Sequence, residues 1–146
     1  MVKEPTRVRF TREMLSLVAD AGLLEGDSYE LLDGDLYEMP VESPLHAYLV
    51  EALAAAFAAL GHVREEKPMI SGPDDLKPDV ALYAGTREDF KRAYGTSPRF
   101  VIEVAISSQA RDLGKKALSY ARTGVPTYWV VDTVRERTTI HTDPTP

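Results

Sequence analysis

The sequence predicts a mixed α/β fold: a β-sheet flanked by helices, with an N-terminal helix and a β-hairpin ahead of it. Three observations predict it. Helical and strand-like hydrophobic periods alternate along the chain. Asp33-Gly34 separates two apolar-rich runs, which is the pattern of a tight hairpin. Between residues 99 and 132 a buried-strand pattern, a helix and a second buried-strand pattern follow one another, the order of a right-handed crossover joining parallel strands. At 146 residues the expectation is one domain, 1–146, with room for a real core.

The elements follow in order. Met14, Leu15, Leu17, Val18 and Ala21 recur at helical spacing, with Thr11 placed to cap and Gly22 to stop. Tyr29-Glu30-Leu31-Leu32 and Asp35-Leu36-Tyr37-Glu38-Met39 form the hairpin arms, and Pro40 and Pro44 punctuate what comes next. Residues 45–60 are rich in Ala and Leu, follow Ser43-Pro44 and end at Gly61, so a helix is expected there. Two short strands are expected over 62–66 and 77–83, then a short charged surface helix over 86–94. The run Arg99-Phe100-Val101-Ile102-Glu103-Val104-Ala105-Ile106 is apolar, β-branched and short. It predicts a buried central strand. A helix over 111–123 ends at Gly124, Thr127-Tyr128-Trp129-Val130-Val131-Asp132 reads as another buried strand, and residues 138–141 return as its hairpin partner.

Composition excludes several classes. Apolar residues make up 44% and charged residues 27%, which is globular rather than disordered. There is no cysteine, so disulfide frameworks, thiolate zinc sites, iron–sulfur clusters and cysteine nucleophiles are out. No apolar run reaches membrane-spanning length. Met1-Val2-Lys3-Glu4-Pro5 lacks the order of a secretory signal, so a cytoplasmic protein is expected. The net charge of −6, from 17 basic and 23 acidic residues, argues against a protein that coats nucleic acid non-specifically. It leaves room for an enzyme whose acidic site recruits a metal.

Glu103 is the sharpest chemical feature, because a carboxylate inside an apolar strand is costly unless paired, protonated or metal-bound. Asp79 opens an apolar run just after Pro78. Alone it also reads as a turn aspartate. With Glu103 on a second strand, the two carboxylates could hold one Mg²⁺, an arrangement suited to phosphodiester hydrolysis. Asp112, Lys116 and Tyr120 stand at i, i+4 and i+8 on one helix, from which Lys116 could point back at the acids. A solvated stripe would show the same spacing. Glu30 on the hairpin is either an extra carboxylate or an exposed strand residue. His46 near a helix start is a cap, core or site histidine, and one histidine alone makes no zinc site.

The set Phe100-Val101-Ile102-Glu103-Val104-Ala105-Ile106-Ser107-Ser108, Asp112, Lys116, Tyr120-Ala121-Arg122, Gly124-Val125-Pro126 and Tyr128-Trp129-Val130-Val131-Asp132 resembles a widespread prokaryotic family described as "putative restriction endonucleases". That family was formerly a domain of unknown function, and it is similar to the PD-(D/E)XK nucleases. Tyr29-Glu30-Leu31-Leu32-Asp33-Gly34-Asp35, Ser43-Pro44 with His46, and Pro78-Asp79-Val80 fit the same pattern. The resemblance implies a restriction-endonuclease-like core over about 29–141 and a Mg²⁺- or Mn²⁺-dependent endonuclease acting on DNA. It places Asp79 and Glu103 as metal-binding acids, with the Val104 carbonyl as a further ligand. Ala105 stands where the superfamily carries its lysine, and Lys116 on the following helix takes that position. Glu30, His46, Asp112 and Tyr120 are additional candidates.

A homodimer is expected of an enzyme that cuts both strands, with the hairpin arm Leu36/Tyr37/Met39 as its contact. The competing expectation is a non-catalytic interaction or structural module that keeps the nuclease-like fold. Whether Asp79, Glu103 and Lys116 converge in space separates the two.

Overall fold

The computed structural model describes residues 1–26 and 28–146. Helix α1 (Arg12–Asp20) is capped by the Thr11 hydroxyl, which accepts from the Met14 N–H at 3.2 Å. The hairpin β1 (Tyr29–Leu32) and β2 (Asp35–Glu38) turns through Asp33 at φ 50° and Gly34 at φ 76°, the paired positive φ of the tight turn that its sequence predicts. Helix α2 (Pro44–Phe57) has Ser43 as N-cap and Pro44 in its first turn, and continues as one 3₁₀ turn over Ala58–Leu60. Strands β3 (His62–Glu65), β4 (Met69–Ser71), β5 (Asp74–Leu76) and β6 (Val80–Tyr83) follow. The expected surface helix contracts to a 3₁₀ turn, Arg87–Phe90. After β7 (Phe100–Ala105) the crossover helix starts as α3 (Gln109–Arg111), widens into a π-turn over Asp112–Lys116 and closes as α4 (Ala117–Arg122). Strands β8 (Thr127–Asp132) and β9 (Arg137–Thr142) complete the chain.

The mixed sheet is present with five strands in the order β3-β6-β7-β8-β9, with β7 and β8 parallel and the other pairs antiparallel. A second, antiparallel sheet, β2-β1-β5-β4, accompanies it. The sequence reading missed the β4–β5 hairpin that lets β1 join this sheet rather than the first.

Two cores sandwich the five-stranded sheet, and strand alternation decides which side chain enters which. Val80, Leu82, Phe100, Ile102 and Val104 face α2, which supplies Leu49, Val50, Leu53, Ala54 and Phe57 at helical spacing. Ala81, Tyr83, Val101, Ala105, Tyr128 and Val130 face the other way, onto Tyr120 of α4 and onto Leu32, Met69 and Leu76 of the second sheet. Tyr37 of the hairpin also packs against this second core, so that arm spends part of its apolar surface within its own fold.

Gly95 shows how tight the second core is. A Cβ there would land inside the Tyr83 phenol, whose ring is buried against Phe90. Gly95→Ala is expected to cost about 1–3 kcal/mol as an overpacking change, read as a lower urea midpoint. An unchanged midpoint would mean that the ring has room to move.

Burial pushes the Tyr83 hydroxyl up to about 12 and those of Tyr120 and Tyr128 well above the ordinary tyrosine value. The fold therefore favours the neutral phenols. Their contribution to stability is intact below the unfolded tyrosine value near pH 10 and is lost as pH rises through the folded values. In an ultraviolet alkaline titration, these three of the seven tyrosines are expected to ionise late, together with loss of near-ultraviolet ellipticity. Full ionisation while the fold persists would refute this.

Candidate metal-dependent active site

Glu103 occupies an odd position on β7, so it points into the second core with Val101 and Ala105, and it is 2% exposed. Its Oε1 accepts from the Tyr120 hydroxyl at 2.8 Å and from Lys116 Nζ at 3.2 Å. Its Oε2 accepts from the Asp79 N–H at 3.4 Å.

Asp79 lies between Pro78 and the start of β6, and its Oδ2 accepts from the Val104 N–H at 2.7 Å. The β6–β7 register puts Val80 opposite Ile102. Two residues further, Val104 falls opposite Pro78. The N–H and C=O of one strand residue point to the same edge, and proline has no N–H to give. The Val104 carbonyl is thus left beside Asp79 without a ladder donor from that position.

Lys116 is 2% exposed and surrounded by acids. Both Glu30 oxygens lie 3.1 Å from its Nζ, Glu103 Oε1 at 3.2 Å and Asp112 Oδ1 at 3.7 Å. Burial opposes the ammonium charge, but Glu103, Glu30 and Asp112 outweigh burial and hold the Lys116 value above that of an ordinary lysine. Burial pushes Glu103 well up and Asp112 up, since one ammonium cannot offset three desolvated carboxylates. Ser108 donates a short hydrogen bond to Asp112, and the Tyr128 hydroxyl donates to the Asp112 carbonyl at 2.7 Å.

His46 enters from the first turn of α2, where its N–H is bound by the Ser43 cap. Its Nε2 lies 3.2 Å from Asp79 Oδ2, and its Nδ1 lies 3.3 Å from Glu42 Oε1 and 3.9 Å from Glu66 Oε1. The hydrogen bond with Asp79 raises the His46 value. Burial opposes that, and the charges of Asp79 and Glu42 add to it. Glu66 reaches the group by leaving β3 at φ 52°, with its N–H on the Pro78 and Asp79 carbonyls.

All seven residues singled out in the sequence, Glu30, His46, Asp79, Glu103, Asp112, Lys116 and Tyr120, therefore form one connected cluster, joined between Asp79 and Glu103 through the Asp79 N–H. Glu30, at 0% exposure, is no exposed strand residue. Sequence reasoning missed Glu42 and Glu66. Glu42 stands four residues before His46, a spacing that signals proximity once the helix start is fixed. Nothing local distinguishes Glu66 from its neighbour Glu65.

The cluster borders a cleft of about 570 Å³, with Glu42, His46, Glu66, Asp79, Ser107 and Arg111 on its walls. One ligand atom from each of Glu42, His46, Glu66 and Asp79 lies within 4.8 Å of the others. Glu66 Oε1 is buried without a hydrogen-bond partner, and His46 Nδ1 has only the approach of Glu42 at 3.3 Å and of Glu66 at 3.9 Å. A carboxylate- and imidazole-rich set with an orphaned carboxylate oxygen on Glu66 and a shortage of positive charge fits a divalent cation.

No curated protein matches the chain in sequence. A crystal structure from Anabaena variabilis ATCC 29413, described as "a putative nuclease belonging to DUF820", superposes with a TM-score of 0.70. It does so at 13% identity, over 88% of this chain and 80% of that one, and so shares the fold. The model of the family Uma2, described as "Putative restriction endonuclease", matches residues 15–146. The chain belongs to that family.

Proposed function

We propose that this protein is a divalent-metal-dependent nuclease that hydrolyses phosphodiester bonds in DNA, with Mg²⁺ or Mn²⁺ as its ion. The observation that carries the reading is the convergence of Asp79, Glu103 and Lys116 at the foot of an open cleft. Asp79, Glu103 and the Val104 carbonyl are the proposed ligands, with His46, Glu66 and Glu42 completing the donor set on the cleft side. A bound ion supplies a water of lowered pKa and neutralises charge on the phosphate.

The residues divide the remaining work. Lys116 is locked among carboxylates, so its proposed role is to hold Glu103 in place and favour its charged form. Tyr120 fixes the same Glu103 oxygen from the core side. Arg111 lines the cleft, its guanidinium 5.4 Å from the Tyr37 ring centroid and its Nε buried without a partner. It is a cation placed to meet a phosphate, and Arg111→Ala is expected to raise KM more than it lowers kcat.

The test is nicking of supercoiled plasmid with Mg²⁺, Mn²⁺ or EDTA, beside Glu103→Ala prepared identically. Metal-dependent nicking lost in the variant supports the reading. Equal activity in both exposes a contaminant, and inactivity of the wild type on plasmid and on RNA favours the non-catalytic module. No helix among the described residues is long and apolar enough to cross a membrane, and a cytoplasmic homodimer belongs to the same proposal. A mass of 16.2 kDa by light scattering would remove the dimer.

A further inference from the structure

Strand β3 is one edge of the five-stranded sheet, and beside it runs a second concavity. Arg64, Lys67, Arg87 and Lys91 line it, with His62 and Phe90 at one end and Glu65 and Glu88 as its acids. Four cations against two acids is a reversal of local sign in a chain of net charge −6. Glu88 is already taken by Lys91, at 2.6 Å on the surface. Among the described residues, Lys67 and Arg87 form no ion pair, and both are exposed.

Arg64 is held ready rather than loose. Its guanidinium lies 4.5 Å from the Phe90 ring centroid, and His62 stacks against the same ring at 5.1 Å. Its Nη1 is nevertheless buried without a hydrogen-bond partner. A guanidinium fixed by an aromatic ring with an unsatisfied N–H is a donor awaiting an acceptor oxygen.

The groove adjoins the metal-site cleft. Glu66 lines the cleft, while Glu65 and Lys67 on either side of it line the groove. At a strand rise of about 3.3 Å per residue, Arg64 stands only about 7 Å from Glu66 along the chain.

We propose that this groove, formed by Arg64, Lys67, Arg87 and Lys91, holds the sugar–phosphate backbone of the nucleic acid on the side of the scissile bond that runs along β3. The inference rests on the nuclease reading above and assigns its substrate track. It reconciles an acidic protein with a polyanionic substrate: the negative charge gathers where an ion sits, and the positive charge lies beside it, along the strand.

The experiment measures anisotropy of fluorescein-labelled DNA and RNA oligonucleotides, single-stranded and duplex, over a salt series in EDTA. The proteins are the wild type, Lys67→Glu, Arg87→Glu and Arg137→Glu. The last makes the same charge change on β9, at the opposite edge of the sheet. Removing one cation that neutralises a phosphate is expected to flatten the slope of log K against log salt by about 0.7–0.9. Lys67→Glu and Arg87→Glu should each do so, while Arg137→Glu keeps the wild-type slope. The DNA and RNA arms identify which backbone is held. Equal slopes for all four proteins, or no binding by the wild type, would overturn the groove. The nuclease reading fails separately: a wild type that binds through the groove but never cleaves ends that reading and leaves the groove standing, and a wild type that cleaves with groove variants unaffected does the reverse.

Discussion

Asp79→Asn is expected to leave a folded protein whose metal-dependent plasmid cleavage falls by about 10³-fold or more, since it removes the charge of a proposed metal ligand. Asp79 Oδ2 receives the Val104 N–H at 2.7 Å and faces His46 Nε2 at 3.2 Å, while the Asp79 N–H donates to Glu103. The side chain is therefore both a strand-to-strand link and the centre of the donor set. Alanine would confuse the two roles, because it also strands the Val104 N–H at a cost of about 1–3 kcal/mol. Asparagine keeps an acceptor for that N–H and gives up only the charge. The expected pattern is a thermal midpoint near wild type, no heat of Mn²⁺ binding by calorimetry, and no nicking. His46→Ala should weaken Mn²⁺ more than Mg²⁺, because imidazole is the one nitrogen in an otherwise oxygen set. Retained cleavage by Asp79→Asn would remove Asp79 from the chemistry and leave it a structural tie.

That the asparagine variant can be chosen so narrowly reflects how much of the site was legible in the sequence. Glu103 betrayed itself by interrupting an apolar strand, and the buried location followed from that alone. Asp33-Gly34, Ser43-Pro44 and Gly124 fixed the hairpin, the helix start and the helix stop because each acts through local backbone geometry. The β4–β5 hairpin was not legible. Its strands are three residues each, Pro73 lies between them, and Asp74 looks like turn polarity. Asp74 is in fact buried, accepting from Ser119 at 2.6 Å and from the Asp33 N–H at 2.9 Å. Such partners are 45 and 41 residues away and leave no trace in a local window. The same holds for Glu66, whose place depends on the Pro78 and Asp79 carbonyls across the sheet. The π-turn over Asp112–Lys116 was also invisible. It delivers Asp112 and Lys116 together to the buried face, so the i, i+4 reading reached the right neighbours through a helix of the wrong pitch.

Lys116→Met is expected to destabilise the fold by about 3–5 kcal/mol, the cost of removing one partner from a buried charge cluster. Methionine fills much of the volume, so the loss is electrostatic: Glu30, Glu103 and Asp112 would share a desolvated site without the ammonium that now lies within 4 Å of all three. Glu103 and Asp112 already sit above the usual carboxylate range through burial, and losing Lys116 raises them further. A carboxylate raised in the fold contributes its stability below the unfolded value and loses it as pH rises through the folded one. The deficit of the variant should therefore be smallest in mild acid and grow towards neutral pH, and urea midpoints across that range would read it. A deficit independent of pH, or under about 0.5 kcal/mol as for an exposed residue, would mean that Lys116 is not the counter-charge of the cluster. Glu30→Gln separates stability from chemistry. It removes one acid and keeps Lys116 on Glu103, so the fold should hold and the ammonium should bear more fully on the proposed metal ligand. If the Gln variant cleaves and Lys116→Met, refolded in mild acid and assayed at neutral pH below its midpoint, does not, the lysine acts on the reaction through Glu103 and not merely through the fold.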